Sequence, residues 1–287
     1  MNRRVSSQLP PRPCEAVFFY RAQPSSLRLP PIIVVACESS VLHADAIALA
    51  TELALPLATE QSPVPATHYL VLTRERLELR ELGTSAPGPV YVDFIAGTAD
   101  DRRRWGGGRQ QPLARAIGLT SNATPTVVDP TAGLGQDAFV LACLGCSVCL
   151  VERSPVIAAL LRDGLRRAVQ SAEVGAVVTE RMSLQVADGR EYLLGLDESQ
   201  WPEVIYLDPM YPHRRKTALA SKEMRLLRAL VGDDFDAPEL LAIALTRARR
   251  RVVVKRPRRA PALSGPMPDA QIIAPNTRFD LYLPHVQ

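Results

Sequence analysis

The fold is indicated most clearly by the stretch Val127-Val128-Asp129-Pro130-Thr131-Ala132-Gly133-Leu134-Gly135-Gln136-Asp137-Ala138-Phe139. Two β-branched residues lead into a turn that contains two glycines, and a helical pattern begins directly after it. Glycine permits backbone conformations that a Cβ forbids, and it lets a ligand approach the chain closely. The free N–H groups at the start of a helix favour an anionic or polar ligand. In α/β domains, cofactors bind at such strand–turn–helix junctions.

From Thr126 onward, strand patterns alternate with helical patterns, which is typical of a parallel sheet with crossover helices. The predicted strands cover 126–129, 148–151, 184–187, 204–207 and 252–254. The predicted helices cover 136–144, 154–170, 218–230 and 237–248. Two further strands, 271–274 and 278–283, are expected to be antiparallel and to close the sheet edge. The fold class is therefore α/β, with a seven-stranded, mainly parallel sheet and an antiparallel edge.

The part of the chain before this sheet is less regular. Residues 1–30 contain several prolines and serines without periodicity, so we expect a disordered extension. Residues 31–96 are predicted to form a small α+β domain, with strands at 32–35, 69–73, 77–81 and 90–94 and a helix at 41–55. Residues 97–118 are expected to be a basic, glycine-rich connector, and residues 119–287 the main domain.

Composition indicates a soluble globular protein. Of the 287 residues, 47% are hydrophobic and 22% are charged, with a net charge of +4. The longest nearly uncharged apolar run, 138–151, is shorter than the roughly 18–20 residues that a membrane span needs. No secretory signal is recognisable, so we expect a cytoplasmic protein without a membrane partner.

Three of the five cysteines form a C-x-x-C-x-x-C run at Cys143, Cys146 and Cys149, which is a spacing seen in metal sites. The local pattern, however, places them at a helix end, in a turn and in a strand, so their side chains should point in three directions. A fourth thiolate would have to come from Cys14 or Cys37, far away in sequence. We therefore expect buried structural cysteines and no bound metal.

Basic residues are clustered although the net charge is small. Eight lysines and arginines lie between Arg247 and Arg259, and smaller clusters lie at 102–109 and 214–216. Such local patches favour contact with a polyanion, and a solvated surface is the alternative interpretation. The segment 102–109 combines four arginines, a tryptophan and three glycines, which suits either an arm that contacts a phosphate backbone or a plain flexible linker.

Four acidic residues follow four successive predicted strands: Asp129, Glu152, Asp188 and Asp208. In a doubly wound sheet, ligands lie beyond these carboxyl ends. Glu152, 17 residues after Gly135, is placed to accept hydrogen bonds from ribose hydroxyls. Residues 133–138 match G-x-G-x-x-A, so a nicotinamide cofactor fits. S-adenosylmethionine fits as well, because Asp129 suits its amino group and Asp188 suits the amino group of adenine.

The segment Tyr206-Leu207-Asp208-Pro209-Met210-Tyr211-Pro212 favours the second cofactor. The exocyclic amino group of a base is a poor nucleophile, because its lone pair is delocalised into the ring. A side-chain oxygen and backbone carbonyls that accept its N–H bonds can direct that lone pair towards an electrophile. Asp208 is of the type to do so, and Tyr211 can stack on an extruded base. The alternative is a proline turn with a capping aspartate.

Asp208-Pro209-Met210-Tyr211 resembles the D/N-P-P-Y/F motif of methyltransferases that act on amino groups. Several segments together resemble the bacterial RsmJ family, which methylates the exocyclic N2 of a guanine in small-subunit (16S) ribosomal RNA. The resemblance covers about residues 32–283. Its motifs are Asp93-Phe94, 102–109, 131–135, 150–153, 206–213 and Val252-Val253-Val254-Lys255-Arg256-Pro257.

The resemblance implies a class I S-adenosylmethionine-dependent methyltransferase fold, Rossmann-like, with a small N-terminal domain. It places cofactor contacts on Gln136-Asp137, Glu152-Arg153, Asp188-Gly189 and Asp208, beside the glycines Gly133 and Gly135 and the acid Asp129. Three positions depart from the family pattern. Asp129-Pro130 stands where Asp-Ala is more usual, Gln136 stands where a basic residue is common, and Asp188-Gly189 stands where small hydroxyl residues also occur.

The mechanism expected is direct in-line methyl transfer, in which the protein supplies positioning and electrostatics. Asp208 and the adjacent backbone at Pro209 hold the amino group, and Tyr211 stacks on the base. Contacts to RNA are expected from Arg102, Arg103, Arg104, Arg109, His213, Arg214, Arg215, Lys216, Lys255 and Arg256.

Four alternatives remain open on the sequence. They are an N6-adenine methyltransferase, a protein-amide methyltransferase, an NAD-dependent dehydrogenase and a non-catalytic RNA-binding assembly factor.

Overall fold

The computed structural model describes residues 31–58, 65–83, 86, 88–95, 108–210, 226, 228, 230–232 and 234–284. The contacts of the chain group Pro31–Gln287 into one unit. The domain boundaries near residues 96 and 118 therefore stay predictions. The expected extension 1–30 lies outside the described residues. Among the helices that are described, none is long and apolar enough to cross a membrane.

The first part of the chain forms a three-stranded sheet, as its alternating apolar residues predict. Its strands are β1 (Ile33–Cys37), β2 (His68–Leu72) and β3 (Leu77–Glu81), in the order β1-β2-β3. β1 and β2 are parallel, and β2 and β3 form the predicted antiparallel hairpin. Helix α1 (His43–Glu52) follows β1. In place of the predicted strand at 90–94, only an isolated bridge joins Val90 to Leu79.

The second sheet has seven strands, which confirms the predicted architecture. Its strands are β4 (Val127–Asp129), β5 (Val148–Glu152), β6 (Met182–Val186), β7 (Val204–Leu207), β8 (Arg251–Pro257), β9 (Ala270–Ile273) and β10 (Thr277–Tyr282). The order is β6-β5-β4-β7-β8-β10-β9. β4 to β8 run parallel to one another, while β10 is antiparallel to both β8 and β9. β10 is thus the reversed strand near the edge.

Helices cover this sheet on both faces, which explains the strand sequences. All four residues of β7 are buried, as are Val252, Val253 and Val254 of β8. A strand buried on both faces has a continuous apolar run rather than an alternating one. The helices are α2 (Pro112–Ala116), α3 (Gln136–Cys143), α4 (Pro155–Val169), α5 (Gly175–Arg181), α6 (Gly189–Leu194) and α7 (Ala237–Arg247).

The helices predicted at 41–55, 136–144, 154–170 and 237–248 are present, with ends that differ by a few residues. Ser154 caps α4 and Pro155 occupies its first turn, as predicted. The short helices α5 and α6 were not predicted, because seven and six residues give too little periodicity to recognise. The predicted helix 218–230 lies largely outside the described residues. The cysteines of the C-x-x-C-x-x-C run lie, as expected, at the end of α3, after the following turn and in β5. Only Cys146 is buried, whereas Cys149 is half-buried and Cys143 is exposed, so the expected burial is wrong for Cys143.

Helix α4 joins the two sheets. The Asp163 carboxylate accepts a hydrogen bond from the Leu77 N–H at 3.0 Å, and the Arg167 guanidinium donates to the Val92 carbonyl oxygen. Gly164 lies between these two residues of the helix. A Cβ built on Gly164 would come within 2.3 Å of Val92 Cγ1. The close approach of segment 90–94 to α4 therefore requires glycine at position 164.

We expect Gly164→Ala to destabilise the protein although alanine is the better helix former. Overpacking costs about 1–3 kcal/mol, against a helix-propensity gain of about 1 kcal/mol. Chemical denaturation of the single variants and of Gly164→Ala combined with Val92→Ala measures the effect. The double variant should lose less stability than the sum of the two singles, because alanine at position 92 removes the 2.3 Å contact to Cγ1, although the 2.6 Å contact to the Cβ of residue 92 remains. Additive losses would contradict the packing described.

Candidate active site

A cleft with an empty volume of about 630 Å³ opens at the carboxyl ends of the central strands. The strand order reverses between β4 and β7, and ligands bind at such switch points in open α/β sheets. The lining includes Thr131 and Gly133 after β4, Glu152 at the end of β5, Asp188 beyond β6 and Asp208 after β7. Tertiary structure thus brings three of the four strand-end acids to one cleft.

The two glycines of the turn have different roles. Both have left-handed backbone angles, with φ of +54° at Gly133 and +73° at Gly135. A Cβ on Gly133 would have only the Thr131 carbonyl oxygen within 4 Å, at 4.0 Å, so the space above this residue is open. A Cβ on Gly135 would come within 2.8 Å of Leu161 Cδ1 and 3.0 Å of Leu150 Cδ2. Gly133 therefore leaves room in the cleft, whereas Gly135 allows the turn to pack on the core.

Glu152 holds the glycine turn from the end of the neighbouring strand. Its Oε2 accepts a hydrogen bond from the Gly133 N–H at 2.9 Å, and its Oε1 accepts one from the Ser154 N–H at 2.7 Å. The side chain is buried, and this burial raises the pKa of its carboxyl above the ordinary value. Each carboxylate oxygen has a second acceptor position. Glu152 is therefore able to receive two further donors from the cleft, as a ribose diol would supply.

Asp129 lies behind the cleft rather than in its lining. Its Oδ1 accepts hydrogen bonds from the N–H and the hydroxyl of Thr131, both at 3.0 Å. The Thr131 hydroxyl oxygen in turn accepts the Asp208 N–H at 2.7 Å. Burial, aided by the negative charges of Asp208 and Asp137, raises the pKa of Asp129 to about 7. Asp129 therefore contacts Thr131, which lines the cleft, and does not line the cleft itself.

Asp188 caps helix α6 and carries a paired charge. Its carboxylate accepts hydrogen bonds from the Arg190 N–H at 2.8 Å and from the Arg190 guanidinium at 2.8 and 3.0 Å. These bonds lower the pKa of Asp188 to about 2. A Cβ on Gly189 would come within 2.7 Å of the Pro130 carbonyl oxygen, so glycine allows this helix start to approach the turn after β4.

A second cluster of charges lies beside Asp208. The Lys255 ammonium group donates to Asp208 Oδ2 at 2.9 Å and to Asp137 Oδ2 at 2.7 Å. The Tyr206 hydroxyl donates to the same Asp137 oxygen at 2.5 Å. Burial acts to lower the pKa of Lys255, but the two carboxylates outweigh it and raise that pKa. Burial raises the pKa of Asp208, and the Lys255 charge opposes this shift.

Some predicted cofactor contacts are placed away from the cleft. Four of the described candidates are not among its lining residues: Asp129, Gly135, Gln136 and Asp137. Gln136 is exposed in the first turn of α3. Asp137 in the same turn is paired with Lys255. By contrast, the cleft is lined by seven other candidates: Gly133, Glu152, Arg153, Asp188, Gly189, Asp208 and Pro209.

Two predicted RNA contacts differ from expectation. Lys255 is directed at two carboxylates inside the protein, so its charge is already compensated. Arg256 is 2% exposed, and its guanidinium donates to the Pro261 carbonyl oxygen at 3.0 and 3.1 Å. Because side chains alternate along β8, Lys255 and Arg256 point to opposite faces of the sheet, and each meets a packed neighbour there. The structure therefore corrects the assignment of both residues to a phosphate-binding surface.

The other RNA candidates have mixed outcomes. Arg109 is exposed, and its guanidinium donates to the Thr120 carbonyl oxygen. Two arginines of the basic run 247–259 also have partners within the protein: Arg250 pairs with Glu203, and Arg251 donates to the Ala116 carbonyl oxygen. The remaining predicted residues lie outside the described part of the chain: Arg102, Arg103, Arg104, Tyr211, His213, Arg214, Arg215 and Lys216.

Sequence reasoning missed the residues on the opposite wall of the cleft. Arg153 pairs there with Asp234 and Asp236, and Arg190 pairs with Glu239. Asp234 Oδ2 also accepts the Met210 N–H at 2.6 Å. The only signal for Asp234 was an acid shortly before the helix 237–248, which is also typical of a helix start.

The fold and the cleft together define a class: a Rossmann-like α/β protein with a ligand cleft at the switch point of its sheet. Residues 49–284 match the family model described as "Putative SAM-dependent methyltransferase". The crystal structure of a SAM-dependent methyltransferase from Neisseria gonorrhoeae is similar, with 34% identity and a TM-score of 0.68 over 88% of this chain and 96% of that chain.

Curated relatives identify the family within this class. The "Ribosomal RNA small subunit methyltransferase J" of Thioalkalivibrio sulfidiphilus is 53% identical over 85% of this chain and 95% of its own length. The protein of that name from Aeromonas salmonicida is 56% identical over 75% of this chain and 85% of its own length. The chain belongs to the S-adenosylmethionine-dependent methyltransferases, in the family of ribosomal RNA small subunit methyltransferase J. The cofactor is thus S-adenosylmethionine rather than a nicotinamide cofactor.

The cleft has the chemistry that this cofactor requires. The open space above Gly133 admits a ligand close to the backbone, and the Glu152 carboxylate supplies acceptors for hydroxyl groups. Ile157 and Leu240 add an apolar lining suited to an adenine ring. The residues that would hold S-adenosylmethionine are therefore Gly133, Glu152, Asp188 and Asp208.

We expect Asp129→Asn to stabilise the folded protein more at pH 8 than at pH 5. The pKa of Asp129 rises from 3.8 when unfolded to about 7 when folded, so the folded state binds the proton more tightly. Its ionisation therefore costs stability that grows as pH rises between these values. Asparagine removes this cost, while its amide oxygen still accepts from Thr131.

Chemical denaturation of both proteins at pH 5 and pH 8 measures this difference. The stability gain of the variant should be larger at pH 8 by roughly 2 kcal/mol. An equal effect of Asp129→Asn at both pH values would show that the carboxyl titrates normally.

Proposed function

We propose that this protein transfers the methyl group of S-adenosylmethionine to the exocyclic N2 of a guanosine in small-subunit (16S) ribosomal RNA. The observation that carries the proposal is Asp208-Pro209-Met210 at the carboxyl end of β7, on the wall of the cofactor cleft. The names of the curated relatives support ribosomal RNA of the small subunit as substrate. The aspartate–proline segment supports an amino group as the acceptor.

The chemistry needs two hydrogen-bond acceptors beside the methyl donor. An amino group conjugated to a purine becomes nucleophilic when both of its N–H bonds are held so that its lone pair faces the electrophile. Within the described residues, no group donates to Asp208 Oδ1 or to the Pro209 carbonyl oxygen. These two oxygens are the acceptors we assign to the amino group.

The bound cofactor supplies a methyl group on a positively charged sulfur. The protein itself supplies position and charge. Lys255 holds Asp208 through Oδ2 and favours its ionised form, which leaves Oδ1 as an anionic acceptor. The amino group loses its proton easily after methylation, so the reaction needs no dedicated base. Tyr211 is proposed to stack on the base.

Ribosomal RNA is proposed to be bound by basic residues of the segments 102–109 and 213–214. They are Arg102, Arg103, Arg104, Arg109, His213 and Arg214. The net charge of +4 is small, so binding depends on these local clusters rather than on overall attraction.

Labelled S-adenosylmethionine, purified protein and small subunits lacking this modification test the proposal directly. Digestion of the RNA and mass analysis should identify N2-methylguanosine at one nucleotide. Label on N6 of adenosine, or on a ribosomal protein, would instead establish one of the other amino-group methyltransferases. The absence of transfer to subunits, precursors and naked RNA would favour a non-catalytic assembly factor.

Asp208→Ala should abolish methylation while leaving the protein folded. The carboxylate is lost as acceptor, yet Lys255 keeps Asp137 as its partner, so no buried charge is left unpaired. We expect the rate to fall by at least about a hundredfold, as for other oriented polar groups at a reacting centre. Single-turnover methylation measures the rate, and circular dichroism checks the fold. Near-wild-type activity in a folded variant would refute the role of Asp208.

Replacement of Arg102, Arg103 and Arg104 by alanine should weaken RNA binding and flatten its salt dependence. Each lost phosphate contact lowers the slope of log K against log salt by about 0.7 for a single strand. Filter binding at several salt concentrations measures the slope, and calorimetry should find unchanged affinity for S-adenosylmethionine. Unchanged RNA affinity would identify the segment as a plain linker.

A further inference from the structure

The peptide group between Pro209 and Met210 is held from outside its own segment. The Met210 N–H donates to Asp234 Oδ2 at 2.6 Å, and the Asp234 N–H returns a longer bond to the Met210 carbonyl oxygen at 3.4 Å. The first bond is short because its acceptor is a carboxylate, and such charge-assisted bonds are stronger than neutral ones. Residues 24 apart in sequence thus form a two-point contact beside the cleft.

This bond determines where the Pro209 carbonyl points. A peptide group is planar, and in its trans form the C=O and the N–H point in opposite directions. None of the described peptide bonds is cis. When the Met210 N–H is directed at Asp234, the Pro209 carbonyl oxygen of the same peptide group is therefore directed away from Asp234.

The same bond also changes the charge on that carbonyl. Hydrogen bonds at the two ends of one peptide group polarise each other, so a negative acceptor at the N–H makes the C=O a better acceptor. The effect is larger where water is excluded, and Pro209 is buried. Asp234 thus has the position and the charge to improve the Pro209 oxygen as an acceptor.

We propose that Asp234 is a positioning residue for methyl transfer, which orients and polarises the Pro209 carbonyl so that it accepts one N–H of the substrate amino group. The inference rests on the proposed function, because it concerns the Pro209 carbonyl oxygen as an acceptor that the substrate amino group requires. Asp208 and Asp234 then have complementary roles. Asp208 contacts the amino group directly, and Asp234 acts through the backbone of the next residue pair.

Arg153 keeps Asp234 in place. Its Nη2 pairs with Asp234 Oδ1, which leaves Oδ2 for Met210. Its Nη1 pairs with Asp236 Oδ2 at 2.7 Å. Asp234 and Asp236 therefore share the same arginine and the same stretch of chain, but only Asp234 has a hydrogen bond to the Pro209–Met210 peptide among the described contacts. Asp236→Ala therefore serves as the comparison that disturbs the shared arginine without touching this peptide group.

The test compares Asp234→Ala, Asp234→Asn and Asp236→Ala in the full-length protein, with small subunits and S-adenosylmethionine as substrates. We expect Asp234→Ala to lower kcat by about thirtyfold or more, because small errors in orientation at a reacting centre are costly. The dissociation constants for cofactor and RNA should stay within about threefold of wild type. Asp234→Asn should recover most of the loss, since its amide oxygen also accepts the Met210 N–H.

Two outcomes would overturn the proposal. If Asp236→Ala lowered kcat as much as Asp234→Ala, the common partner Arg153 would explain both effects. If Asp234→Ala raised the dissociation constant for S-adenosylmethionine and left kcat unchanged, Asp234 would be a cofactor-binding residue instead. If Asp234→Ala fails to fold, the kcat values of Asp234→Asn and Asp236→Ala still test the proposal. We expect Asp234→Asn to be the slower of the two, because its neutral amide polarises the peptide group less.

Failure of this inference is distinguishable from failure of the proposed function. If the wild-type protein forms N2-methylguanosine and Asp208→Ala does not, the proposed function stands whatever Asp234 does. If the wild-type protein modifies no guanosine, the function itself is wrong and the Asp234 variants are not informative about it. The wild-type and Asp208→Ala reactions are therefore run first in the same preparation of subunits.

Discussion

The hydroxyl of Thr131 joins the two central strands at the point where the sheet opens. It donates to the Asp129 carboxylate at the end of β4 and accepts the N–H of Asp208 at the end of β7. The strand order reverses between these two strands, so their ends have a crevice above them that no crossover helix fills. One side chain thus fixes the distance between the glycine turn and Asp208, the acid that we propose to contact the substrate.

Charge in the site is balanced by partners from distant parts of the chain. Lys255 lies between Asp137 and Asp208, which are 118 and 47 residues away, and Arg153 lies between Asp234 and Asp236. A carboxylate without a counter-charge is unfavourable where it is shielded from water. The two cations offset the negative charges of these acids and hold each one in a fixed direction. The cleft therefore presents oriented acceptors, which is what a reaction at a weakly nucleophilic amino group requires.

Local sequence was a good guide wherever one short segment carries the whole signal. The glycine turn, the Ser154-Pro155 helix start and the buried strands β7 and β8 all formed as predicted. The short helices α5 and α6 escaped prediction, because their contacts to larger helices stabilise them more than their own periodicity does. The different roles of Gly133 and Gly135 were also not predictable from the sequence. Both residues have left-handed backbone angles, and they differ only in the atoms that surround them in the folded chain.

The sequence by itself determined the order of strands and helices, the glycine turn and the acids at the strand ends, because each depends on neighbours in the chain. Only the tertiary structure decided which charges face the cleft. Lys255 and Arg256 belong to a basic run that favoured an RNA contact, yet the packing of β8 directs both to partners inside the protein. Asp234 became part of the site only when the chain brought it to the Met210 N–H. The physical reason is that a buried polar group must find a partner in space, and that partner is set by the folded chain.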